Sequence, residues 1–144
     1  MKIFRFLLAV VVGLVVGSVV NMAFIMMSGK VIAPPAGANV TTMEGLKAAM
    51  PLFEAKHFLF PFLAHAVGTL VGAFVAGLLA PNKSAVPSYV VGALFLAGGI
   101  ANVIILPSPA WFTAADLLLA YLPAAWIGRA AAVSALARRS PASS

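Results

Sequence analysis

Five side chains in this sequence carry the groups that most often do acid, base or metal chemistry: the carboxylates of Glu44, Glu54 and Asp116 and the imidazoles of His57 and His65. Imidazole exchanges a proton near neutral pH and can ligate a metal or haem, and a carboxylate beside it can orient it or share its proton. The chain has no cysteine, which excludes disulfides, thiolate metal sites and a cysteine nucleophile. No Gly-rich phosphate loop, His-Glu-x-x-His pair or Gly-x-Ser-x-Gly elbow occurs. Any chemistry must come from these five groups and their polar neighbours.

The elements that hold them are those of a membrane protein. Hydrophobic residues make up 63% of the 144 residues, charged residues only 8%, and the mean hydropathy is +1.11. A water-soluble domain of this length cannot enclose so much apolar surface in one core. A helix needs roughly 20 residues to cross the hydrocarbon layer, and four apolar runs come close to or exceed that, at about 6–27, 58–80, 89–106 and 110–128. The first follows Lys2 and Arg5 as a signal peptide would, but Val20-Asn21-Met22-Ala23 makes a poor small-x-small cleavage site and the run is long, so it reads as a retained anchor. The expected fold is an all-α membrane protein: four transmembrane helices in an up-down bundle, with residues 1–136 one domain and 137–144 a cytoplasmic tail.

Connections refine this picture. Pro81-Asn82-Lys83-Ser84 and Pro107-Ser108-Pro109 are tight turns, so the spans they join should be antiparallel. The first connection, from about residue 28 to 57, is far longer and contains Thr41-Thr42-Met43-Glu44, the pattern of a capping box with Thr41 as cap. A short helix over about 42–50 follows, with Met43, Leu46 and Met50 on one face, and it is expected to lie flat in the interface as a lid. With both termini on one side, that side carries six basic residues (Lys2, Arg5, Lys83, Arg129, Arg138, Arg139) against three on the other (Lys30, Lys47, Lys56). This asymmetry predicts cytoplasmic termini, in a bacterial inner membrane, with all three acids outside. The net charge of +6 is explained by topology and lipid headgroups, so nucleic acid is not an expected partner.

Small residues recur at helix-packing intervals: Gly13, Gly17 and Asn21; Gly68, Gly72 and Ala76; Gly92 and Gly99; Asp116, Ala120, Ala124 and Gly128. Such stripes let backbones approach closely and predict a tight bundle without a wide lumen, so a channel would need an oligomer. Val11-Val12-Gly13 and Val90-Val91-Gly92 open spans with Gly-x-x-x-Asn in their outer halves, a faint repeat.

Depth isolates three polar side chains. At a rise of about 1.5 Å per residue, Asn21, His65 and Asn102 fall within roughly 6–10 Å of the outer ends of their spans, in one layer. Polar groups there must face protein or water. His65 reads either as a neutral imidazole bonded to Asn21, Asn102 or a backbone carbonyl, locking helices, or as a functional group. Glu54-x-x-His57 has the spacing of two metal ligands on one helical face, but it occurs once, and Pro61 is expected to kink or end the helix towards His65. Thr113-Ala114-Ala115-Asp116 again fits a capping box, which would explain Asp116 structurally.

The expected function is therefore that of a small polytopic membrane protein, working as an oligomer or in a larger membrane complex. It would bind or transport a small ligand or ion through an outer-half pocket built by His65, Asn21, Asn102 and Asp116. Two alternatives stand beside it: an accessory subunit that docks other membrane helices through its glycine stripes, and a metal-dependent enzyme drawing on His65, His57 and Glu54. Enzymatic activity is the less expected outcome, and the sequence identifies no cofactor.

Overall fold

The computed structural model describes residues 1–139, and the tail residues 140–144 lie outside the described residues. Its regular structure is helical: α1 (Lys2–Val31), α2 (Met43–Ala49), α3 (Leu59–Leu79), α4 (Val86–Ile105), α5 (Ala110–Leu119) and α6 (Leu122–Arg139). Four stretches are long and apolar enough to cross a membrane: Lys2–Val31, Ala55–Leu79, Val86–Ile105 and Ala110–Arg139.

Prolines set several boundaries. α1 runs past its expected end until Ile32 turns extended (φ −122°, ψ 102°) ahead of Pro34 and Pro35. Pro61 does not break the second span. It is the third residue of α3, where its missing N–H is one of the amides that no helical carbonyl would have bonded. The fourth span was expected to be continuous from 110 to 128 but divides at Ala120 and Tyr121 into α5 and α6. Pro123 is the cause, since it offers no N–H to the Leu119 carbonyl and its ring collides with that oxygen. α6 then continues to Arg139, past residue 137 where the tail was expected to begin. The cap of α2 also shifts by one residue: Thr42, not Thr41, accepts from the Gly45 N–H at 3.1 Å. Thr41 is occupied elsewhere, its N–H and hydroxyl both donating to Asn39 Oδ1 at 3.0 and 2.7 Å.

α3 is the central helix and packs along α1, α4 and α6. Glycines make this possible. A Cβ added at Gly13 would lie 2.6 Å from the Gly72 carbonyl, and one at Gly17 2.6 Å from the Gly68 carbonyl, so α1 and α3 touch backbone to backbone. Gly128 seats α6 directly on α3 at Leu70 and Phe74, and Gly92 brings α4 within 2.5 Å of Ala125 by the same measure. Alanines fill what remains, with Ala9, Ala73, Ala76, Ala120, Ala125 and Ala132 all buried. Two polar bonds lock the α3–α4 turn end, Ser88 Oγ donating to the Ala73 carbonyl at 2.8 Å and Arg129 Nη2 donating to the Lys83 carbonyl at 2.6 Å.

Candidate functional site

The break at Tyr121 places an aromatic hydroxyl next to the one acid inside the bundle. Asp116, on α5, is 1% exposed, and so is not the solvated first-turn cap the sequence suggested. α5 begins at Ala110, with Pro109 as a cap lacking any side-chain bond, so Asp116 lies nearly two turns in; Thr113 bonds Ser108 through its hydroxyl at 2.8 Å instead. The Asp116 carboxylate faces α3. His65 Nδ1 lies 2.8 Å from Oδ1 and 3.0 Å from Oδ2, and the Tyr121 hydroxyl donates to Oδ2 at 3.0 Å. The Tyr121 and His65 rings stack with centroids 5.6 Å apart. Tyr121 is itself held from behind, because it lies so close to Gly99 that a Cβ there would meet its Cζ at 2.5 Å.

The partner of His65 is thus Asp116, and neither an asparagine nor a backbone carbonyl as expected. This matters chemically. A neutral imidazole donating Nδ1–H to the carboxylate leaves a lone pair on Nε2; an added proton turns Nε2 into a donor and neutralises the carboxylate's charge. Nε2 has no hydrogen-bond partner, yet it is not sealed in the core. The atom of this unit left open beside the cavities is therefore Nε2.

Asn21 on α1 and Asn102 on α4 are brought to the same place. With His65 they line two adjoining cavities. One, of about 370 Å³, extends between α1 and α4 past Ser18, Phe95 and Gly98 to Tyr121. The other, of about 320 Å³, also reaches Asp116 and is covered by Leu46, Met50 and Phe53 from the first long connection. The asparagine amides bond neither each other nor His65 and are left facing the cavities.

His57 and Glu54 do different work. His57 Nδ1 accepts the Glu54 backbone N–H at 2.9 Å and its Nε2 lies 3.2 Å from the Ala33 carbonyl, which fixes Nε2–H as the donor. The Glu54 side chain accepts from the backbone of the same turn, so Glu-x-x-His is a reciprocal cap of the 3₁₀ turn Ala55–Phe58. Both ring nitrogens of His57 are engaged in tying the connection down, and Glu54, two-thirds exposed, pairs with Lys56 at 3.1 Å. Among the described residues no three His, Asp or Glu side chains gather where a metal could be held.

Tyr121 was not among the residues singled out from sequence. Its signal was a hydroxyl-bearing aromatic five residues after Asp116, just before Pro123 in an apolar run. Tyr121→Phe keeps the ring on Gly99 and removes one bond to a carboxylate, which should cost about 2 kcal/mol. Reversible unfolding in mixed micelles measures this; a variant as stable as the parent would show that the bond contributes nothing. Comparison with protein-family models, with curated proteins and with solved structures finds no match for this chain.

Proposed function

We propose that this chain is a small integral membrane protein that binds, or passes on, a small ligand or ion through the pocket at His65. The spans form an up-down bundle with cytoplasmic termini in a bacterial inner membrane, and α2 lies in the outer interface over the pocket. One observation carries the reading: the Nδ1 of His65 is held by a buried carboxylate while its Nε2 is left open beside two cavities, which suits a group that binds and releases rather than one that only locks helices. A lock would use both nitrogens, as His57 does. The proton is then one bound ion, and Asn21 and Asn102 are the polar contacts for what accompanies it. The opposite half of the bundle is closed by the Gly13–Gly72 and Gly92–Ala125 contacts, so the site faces one way at a time, and passage requires the α5–α6 break to move or an oligomer to form.

The glycine stripes of α1, α3 and α6 are filled from within the chain, which removes them as docking faces for other membrane helices. For the pocket reading, the lack of native cysteine makes a clean test. In sealed vesicles, Asn102→Cys should react with a membrane-impermeant thiol reagent from the α2 side, whereas Val91→Cys, buried in the opposite half, should not. An inert Asn102→Cys would mean that no aqueous path reaches the pocket from that side, and would overturn passage through it.

A further inference from the structure

The larger cavity opens sideways. Ser18 on α1 and Leu94, Gly98 and Asn102 on α4 form its mouth, and all four are exposed. On helices that span a membrane, that side meets lipid, so a molecule dissolved in the bilayer reaches His65 without crossing the loops. A Cβ added at Gly98 would meet nothing within 4 Å, although Gly13 and Gly17 on α1, Gly68 and Gly72 on α3, and Gly92 and Gly99 on α4 are pressed against neighbours. Gly98 thus leaves room for something other than this chain.

The lining restricts what enters. No Lys or Arg lines the cavity, and the only nearby charge, the Asp116 carboxylate, has both oxygens engaged by His65 and Tyr121. A charged headgroup would therefore lose its hydration with nothing to balance it. The polar groups that do converge are neutral ones, Ser18, Asn21, Asn102 and His65 Nε2, and flat faces come from Phe95 and Tyr121. At about 370 Å³ the space fits a ring-sized head but not a whole lipid.

We infer that the cleft between α1 and α4 binds the headgroup of a lipid-dissolved quinone, entering laterally, with its carbonyl oxygens accepting from the Asn21 and Asn102 amides and its tail remaining in the bilayer. This rests on the pocket reading above and adds the ligand class. Binding alone is inferred, with no electron transfer.

The test uses the full chain in phosphatidylcholine nanodiscs and radiolabelled decylubiquinone, counted against empty discs, with labelled dodecyl phosphate as the anionic counterpart. The expected result is saturable quinone binding at one per chain, weakened about tenfold or more by Gly98→Leu and by Ser18→Leu, which fill the cleft from opposite walls, and about tenfold by Asn102→Ala. Quinone retention no greater than in empty discs, or saturable but indifferent to both leucine variants, overturns the inference. If dodecyl phosphate is retained instead and lost in the leucine variants, the quinone class falls and the pocket stands. If neither probe is retained and Asn102→Cys also stays unlabelled, both readings fall together.

Discussion

His65→Leu should destabilise the protein by about 3 kcal/mol, while the double variant His65→Leu/Asp116→Leu should return to within about 1 kcal/mol of the parent. The single change strands a carboxylate that is 1% exposed, with only the Tyr121 hydroxyl left to it. A lone charge in an apolar interior either stays at a large solvation cost or takes up a proton, and both routes weaken the fold. The double change removes the charge with its partner and refills the space with side chains suited to the bundle. Equilibrium unfolding in mixed micelles gives all the required values. A single variant as stable as the parent, or a double variant worse than the single, would show that the two residues do not act as a pair. The comparison also separates purpose from stability. If a near-native double variant has lost quinone binding, the pair is there for the ligand and not for the fold.

Gly68→Val should cost at least about 3 kcal/mol and is expected to abolish assembly of α1 on α3. A single added Cβ at this position would lie 2.9 Å from the Gly17 carbonyl and 2.9 Å from Asn21 Cβ, and the facing Gly17 is under the same constraint from the Gly68 carbonyl at 2.6 Å. The two carbonyls are backbone atoms of rigid helices and Asn21 Cβ is fixed directly to one, so relief requires moving the whole of α1 outward. Because Asn21 lies at this crossing, the pocket would open with the interface. Gly29→Ala and Gly98→Ala are the controls: a Cβ at either meets nothing within 4 Å, and both should fall within about 0.5 kcal/mol of the parent. Equal losses at all three glycines would indicate that helix propensity, and not close approach, governs their effect.

Much of the architecture was legible because membrane insertion leaves few choices. Apolar runs of sufficient length must be helices when every backbone group has to be satisfied internally. The four spans, the short helix in the long first connection and the small-residue stripes could all be read for this reason. Prolines were harder to judge, since the same residue acts differently by position. Pro61 falls in the first turn of α3 and is harmless, whereas Pro123 falls inside an apolar run and divides it.

The site was half legible. Asn21, His65 and Asn102 could be placed at one depth by counting residues, and the structure sets them around the same cavities. Asp116 was placed among the pocket residues, but its bond to His65 was not foreseen, because a capping box four residues long is a local pattern and it competed with a contact 51 residues away in sequence. The metal-like spacing of His57 with Glu54 was a weak signal in the sequence, and in the structure it is a cap and a tether to Ala33.

By itself the sequence determined that this is a helical chain with four stretches long and apolar enough to cross a membrane, close helix contacts and a histidine deep within one such stretch. Those features follow from composition, length and periodicity, which act locally and are summed by the bilayer. Only the tertiary structure decided what His65 faces. The α5–α6 break turns Asp116 and Tyr121 together, and α1 and α4 leave a lateral cleft beside them. Such an arrangement depends on how helices rotate and tilt against α3, a balance of backbone contacts between distant residues that no spacing along one chain records.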